Sequence, residues 1–273
     1  MNRSLGFSCL QNARQLGGYR TEDGRCVKEN VLLRSGKLNC ASAEEKNALD
    51  KIYHLQTVID LRTKDERKAE PDPYILNSEN IWIPVLNEDA YTDANLQEIA
   101  AFTKEYGDNP AAEAVAILQS GYDISIMYQQ MLSDPYSMKQ YAKFLRQLLL
   151  IHPGNSVLWL CSGGKDRAGT AAVLLLVALG ADEQTILQDF DLSNHYYEKS
   201  IQQMRLDASR LTDDPVIIEK TGYFAGVNSE YMEKAMQWMK ETYGSLHSYL
   251  TEALSINEAE IQMLKHLYTE ILY

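Results

Sequence analysis

The sequence predicts an α/β fold, a central and mainly parallel sheet flanked by helices. Three observations carry that expectation. Short apolar runs, Thr57 to Leu61, Ile81 to Val85 and Ser156 to Leu160, alternate with helical patterns along the chain. The segment Ala168 to Leu179 is apolar nearly all round, which marks a central, buried helix. A seven-residue loop, Cys161 to Arg167, joins the strand Ser156 to Leu160 directly to that helix, and in open α/β sheets such an edge is where ligands bind. The 273 residues are 45% apolar and 23% charged. That is an ordinary globular composition, and it argues for one domain over residues 1–273 and against a disordered, collagen-like or disulfide-scaffold chain.

The elements follow in order. Residues 16–34 read as a hairpin, with Leu16 and Tyr19 first, a turn at Asp23-Gly24, and a strand from Cys26 to Leu33. Ser42 and Glu45 have capping-box spacing and open a helix to about Tyr53. Thr57 to Leu61 is a buried strand with Asp60 near its end. Arg62 to Glu70 forms a short helix stopped by Pro71 and Pro73. Residues 86–133 hold helical patterns around 95–105, 111–119 and 123–132, broken by Gly107, Pro110 and Gly121 and carrying Tyr91, Tyr106, Tyr122 and Tyr128. They read either as ordinary packing helices or as an inserted helical lid. Tyr136 to His152 is a helix ended by Pro153-Gly154, and Gly180 closes the buried helix as a C-cap. Further helices cover roughly 183–204, 229–242 and 257–271, the last capped by Asn257 and Glu260.

Charge and cysteine usage narrow the function classes. The net charge is -12, so long-range attraction to nucleic acid or anionic membrane is not expected. Residues 1–40 run the other way, with seven Lys/Arg against three Asp/Glu, and a local basic surface there suits a small anion if Arg14, Arg20 and Arg34 face a cleft; otherwise they are solvated surface charges. Cys9, Cys26, Cys40 and Cys161 are scattered, with no metal-ligand spacing. The longest apolar run, Ala171 to Leu179, is far short of the ~20 residues of a membrane span. Met1 to Gln15 lacks the apolar core of a secretory signal. These features point to a cytoplasmic chain.

The loop carries the chemistry. Gly163 and Gly164 allow a tight turn whose N–H groups converge, the following helix adds the partial positive charge of its N-terminus, and Arg167 supplies a fork for two oxygens of a tetrahedral dianion. With Ser162 and Lys165 the loop forms a phosphate-binding concavity. Cys161 stands at its base, where the same groups stabilise a thiolate. A thiolate beneath a phosphoryl group is an in-line nucleophile that forms a cysteinyl-phosphate for water to hydrolyse. Asp166 is the first choice for the general acid that protonates the leaving oxygen. A Walker A loop is excluded, because Asp166 follows Lys165 and Trp159 occupies the position of the first glycine. A dinucleotide fingerprint is absent. The mechanism calls for no metal and no cofactor.

At these residues the chain resembles the bacterial tyrosine phosphatase family, whose loop reads His-Cys-x-x-Gly-Lys-Asp-Arg-Thr-Gly. Members act on phosphotyrosine, phosphoserine/threonine and phosphoinositides. The similarity extends to Asn12-Ala13-Arg14-Gln15-Leu16-Gly17-Gly18-Tyr19, Leu33-Arg34-Ser35-Gly36, Asp60-Leu61-Arg62 with Glu66, Leu192-Ser193-Asn194, and Tyr243-Gly244-Ser245 with Tyr249-Leu250. The resemblance implies a cysteine-phosphatase-like fold with a helical lid at about 86–133. It makes Cys161 the nucleophile, Arg167 the phosphate clamp, Asp166 the in-loop general acid and Lys165 a substrate-binding or field-setting cation. Asp60 then supports the loop or positions water, or else caps a helix or pairs with Arg62. Three residues depart from the pattern: Leu160 replaces the loop's His, Ala168 replaces its Thr, and Gln15 replaces an Asp. Losing one charge-assisted hydrogen bond to a thiolate costs about 1.5–3 kcal/mol, so a working but slower phosphatase is expected, acting on phosphorylated protein or phosphoinositide. The alternatives are a pseudophosphatase that binds phosphorylated ligand with little turnover, and a sulfurtransferase or arsenate reductase built on a similar loop.

Overall fold

A computed structural model describes residues 3–87 and 109–271. Its main sheet has the order β1-β3-β6-β4-β5, with β1 Arg14–Gln15, β3 Leu32–Ser35, β6 Ser156–Leu160, β4 Leu55–Asp60 and β5 Glu79–Trp82. Strands β3, β6, β4 and β5 run parallel and β1 is antiparallel at the edge. The predicted α/β class with a mainly parallel sheet is borne out. β6 is central because it is apolar on both faces: Val157 and Trp159 sit in one core cluster and Leu158 and Leu160 in the other, as a strand covered by helices on both sides requires. The register pairs Ser35 and Asp60 with Leu160 and Asp60 with Trp82, so the carboxyl ends of β3, β6, β4 and β5 finish at one edge. There the chain turns through the loop into the helix Asp166–Leu179, whose start Trp159 ties back by donating from Nε1 to the Ala168 carbonyl at 2.9 Å. Gly180 ends that helix in the left-handed conformation, φ 85°.

Several expectations hold in detail and others are corrected. The capping boxes at Ser42/Glu45 and Asn257/Glu260 are formed, opening helices Ala43–Lys51 and Glu258–Tyr268. The hairpin over 16–34 is only half right. The Asp23-Gly24 turn closes a short bridge between Arg20 and Cys26, but β2, Arg25–Val27, pairs with β7, Thr269–Ile271, near the C-terminus. Asn30, with φ 62°, breaks the run, so Leu32 begins a separate strand that joins β6. The helical pattern over 183–204 is two helices, Glu183–Asp191 and Ser193–Ala208. An unforeseen helix, Pro215–Ala225, is capped by Asp214 with Pro at its first turn, a signal that was readable. Of the stretch 86–133, the helix expected around 95–105 lies outside the described residues. Helices Pro110–Gln119 and Ile126–Ser133 are described, and Tyr128, Met131 and Leu132 of the second are built into the core. No helix among the described residues is long and apolar enough to cross a membrane.

Beneath the loop lies a buried ionic cluster. Asp189 accepts from Arg34 Nη1 at 2.7 Å, Arg14 Nε at 3.3 Å and the Tyr19 hydroxyl at 3.1 Å, and all four side chains are buried. Burial opposes the charge of Asp189, but Arg14 and Arg34 outweigh it and hold the carboxyl below the usual aspartate range. Removing the carboxylate charge strands two guanidinium groups away from water, so Asp189→Asn is expected to lose about 3–5 kcal/mol of stability in urea unfolding. Acidification follows from the same pair. The unfolded chain binds the Asp189 proton at a higher pH than the folded one, so this contribution is complete above the ordinary aspartate value of about 4 and is lost as pH falls below it. The wild-type protein should lose stability across that range more steeply than Asp189→Asn, measured by urea midpoints at successive pH values.

Candidate active site

β6 delivers Cys161 to the sheet edge with 2% of its surface exposed. The loop turns on Gly164, whose φ is +63°. A Cβ there would lie 2.3 Å from the Ser35 carbonyl carbon, so only glycine fits. Gly164 is left-handed and Lys165 right-handed, φ -105° and ψ -62°, and successive residues of opposite hand aim their N–H groups into one concavity. The carbonyls are pinned on the outside. Tyr197 donates its hydroxyl to the Gly163 carbonyl at 2.6 Å, Asn12 Nδ2 to the Gly164 carbonyl at 2.9 Å, Arg34 Nη2 to the Gly164 and Lys165 carbonyls at 2.8 and 3.2 Å, and the Lys37 amide to the Ser162 carbonyl at 3.1 Å. Among the described residues, no backbone N–H of Ser162, Gly163, Gly164 or Lys165 donates to a protein acceptor. A loop with its acceptors satisfied and its donors open is an anion site.

Arg167, at the end of the loop, is under tight restraint. Its Nη1 and Nη2 donate to the two Glu66 oxygens at 2.5 and 2.6 Å, and Nη2 lies 3.3 Å from Ser162 Oγ. Ser162 Oγ in turn donates to Glu66 at 2.5 Å. Glu66 belongs to the helix Lys64–Ala69 and also closes its capping box by accepting from the Thr63 amide at 2.9 Å. Burial resists its charge, yet the Arg167 hydrogen bond and charge, with Ser162 and Thr63, win and hold the carboxyl down at about 2. The clamp is therefore charged at every working pH. The guanidinium has five N–H donors, and the pairing with Glu66 and Ser162 leaves donors for an oxyanion.

The remaining expected residues are placed as follows. Asp60 is 3% exposed and committed to Arg62, which donates from N, Nε and Nη2 at 2.9–3.0 Å, and to Arg67 Nε at 2.9 Å. Its side-chain hydrogen-bond partners lie in the helix that carries Glu66 and its approach, and among the described residues they do not include the loop. Lys165 Nζ is taken by the carbonyls of Phe224 and Gly226 at 2.5 and 2.8 Å, tying the loop to the end of helix Pro215–Ala225. Asp166 opens the buried helix, and its Oδ1 accepts from the Tyr128 hydroxyl at 2.6 Å. Arg14 and Arg34 are fully buried and Arg20 is exposed, so the first two serve the back of the loop. Leu160 and Ala168 are fully buried, and Leu160 packs in the cluster on the sheet face opposite that of Cys161. Thr170, two residues further along the helix, is fully buried. Gln15 accepts from the Asn30 amide at 2.6 Å and holds the kink before β3. Sequence reading assigned no role to Tyr128, Tyr197 or Asp189. Glu66 and Asn12 were visible only as members of the motif segments, while Arg14 and Arg34 were also read as basic residues that could face a cleft.

The chain is also similar to known proteins. A sequence model described as the tyrosine phosphatase family matches residues 5–270. A provisionally named tyrosine-protein phosphatase of Cupriavidus necator is 28% identical over 258 residues, 94% of this chain and 86% of that protein. The triple specificity protein phosphatase PtpB of Mycobacterium tuberculosis is 33% identical over 132 residues, 44% of this chain and 46% of its own. A tyrosine-protein phosphatase of Nostoc commune is 24% identical over 88% of this chain and 74% of its own. A match that runs from the first loop-supporting residues through the loop to the last helix makes this chain a member of the tyrosine phosphatase family.

Proposed function

We propose that the chain hydrolyses phosphomonoesters, phosphotyrosine first among them, by a two-step reaction on Cys161. The observation that carries this reading is the loop itself: open amide donors and a clamped Arg167 around a cysteine at its base. In the first step the Cys161 thiolate attacks phosphorus. The S–P bond forms as the P–O bond to the leaving group breaks, and Asp166 gives its proton to the departing oxygen. In the second step Asp166, now a carboxylate, takes a proton from water as that water attacks phosphorus. The S–P bond breaks, and inorganic phosphate leaves. The loop amides and Arg167 stabilise the equatorial oxygens in both transition states. Ser162, Gly163, Gly164 and Lys165 supply the amide donors, while Asp60 acts from behind by holding the Glu66 helix.

Leu160 and Ala168 support the second reading, a phosphate-binding protein with negligible turnover, because neither side chain carries a hydrogen-bond donor where the family pattern has one. One missing charge-assisted bond is worth about 1.5–3 kcal/mol. That deficit slows a reaction without abolishing it, since the amides, the helix N-terminus and Arg167 remain. The triple specificity of the PtpB relative motivates phosphoserine/threonine and phosphoinositide substrates as further candidates, to be ranked by one substrate panel on one preparation.

Turnover of an aryl phosphate should persist in chelator, be inhibited by vanadate and fall to background in Cys161→Ser. Loss of turnover in chelator, or activity retained in Cys161→Ser, contradicts the mechanism. Phosphopeptide binding without any burst of product supports the second reading. Glu66→Gln should lower kcat/KM roughly 10- to 100-fold, because a neutral amide cannot hold the guanidinium with two charge-assisted bonds. An unchanged kcat/KM would remove Glu66 from the clamp.

A further inference from the structure

Tyr128, on the helix Ile126–Ser133, is 2% exposed and stands edge-on to Phe190 with ring centroids 5.3 Å apart. Its hydroxyl donates to Asp166 Oδ1 at 2.6 Å. Burial, and then the Asp166 charge, push the phenol well above its ordinary value, so it is a fixed donor that does not surrender its proton. The other oxygen is differently placed. Asp166 Oδ2 has Lys165 Nζ at 3.8 Å, and that ammonium is already taken by two carbonyls. A protonated carboxyl carries one hydrogen. With Oδ1 accepting from Tyr128, that hydrogen belongs on Oδ2.

We propose that Tyr128 is a positioning residue for proton transfer: its hydroxyl holds Oδ1 of Asp166 and thereby makes Oδ2 the oxygen that protonates the leaving group. This rests on the reading of Asp166 as general acid. It also gives helix Ile126–Ser133 a function beyond packing, because the residue that orients the acid comes from outside the loop.

The experiment compares Tyr128→Phe, Asp166→Asn and the double variant on two esters. Phenyl phosphate has a leaving group that needs a proton, and 2,4-dinitrophenyl phosphate has one that leaves without it. Tyr128→Phe should lose about tenfold in kcat/KM on phenyl phosphate, a quantity that reports the first step and not the hydrolysis of the cysteinyl-phosphate. It should lose little on the dinitrophenyl ester, whose retained turnover also reports an intact fold. In the Asp166→Asn background the further loss on phenyl phosphate should vanish. Selective loss in Asp166→Asn without selective loss in Tyr128→Phe overturns the role of Tyr128 alone. Equal loss of kcat/KM on both esters in Asp166→Asn overturns the general-acid reading, and this inference with it. Should Tyr128→Phe not fold, 3-fluorotyrosine placed at position 128 keeps the ring and changes the donor strength. A rate change confined to phenyl phosphate then supports the role, and no change on either ester overturns it.

Discussion

The site depends on a buried guanidinium. Arg34, with none of its surface in water, spends one nitrogen on Asp189 and another on the carbonyls of Gly164 and Lys165. A charge buried so deeply is tolerable only when paired and hydrogen-bonded, and the carboxylate that pairs it is held by Arg14 and Tyr19 as well. The loop's shape is thus coupled to the stability of the core. Carbonyls fixed to the rear leave the amides open to the front, and the Lys165 side chain adds a tie from the loop to the end of helix Pro215–Ala225. Asn12 and Tyr197 extend the same rear support.

In front of the loop the charges play a different part. Glu66 and Ser162 hold Arg167 in one orientation, and Asp60 holds the helix that bears Glu66 through Arg67. On charge alone, acidic groups weaken an anion site. Here each is neutralised by a guanidinium it positions, so the field at the loop stays favourable to a dianion. The substitutions at Leu160 and Ala168 leave both layers of support untouched.

The strand–loop–helix unit at 156–179 was legible in the sequence because its signals are local: an apolar run, two glycines and a helix apolar on all sides. Capping boxes were legible for the same reason. The hairpin at 16–34 was misread because the partner of β2 lies near the C-terminus, and strand pairing over such distances leaves no local mark. Arg14 and Arg34 read as surface or cleft charges, since a basic residue carries no label saying that a buried aspartate awaits it far along the chain. The role of Asp60 was open between two readings in the sequence, and its hydrogen bonds to Arg62 and Arg67 favour structural support. Tyr128 was one of several tyrosines in a helical stretch. Nothing in its neighbours indicates that its hydroxyl meets Asp166.

The central claim is that the sulfur of Cys161 becomes covalently bonded to phosphorus during turnover. Acid quenching of the wild-type protein in steady state with an aryl phosphate, followed by digestion and peptide mass analysis, tests it directly. The account predicts one phosphoryl adduct on the peptide carrying Cys161, absent before substrate is added and absent in Cys161→Ser. A phosphoryl group on another residue, or full turnover with no adduct at any quench time, would contradict it.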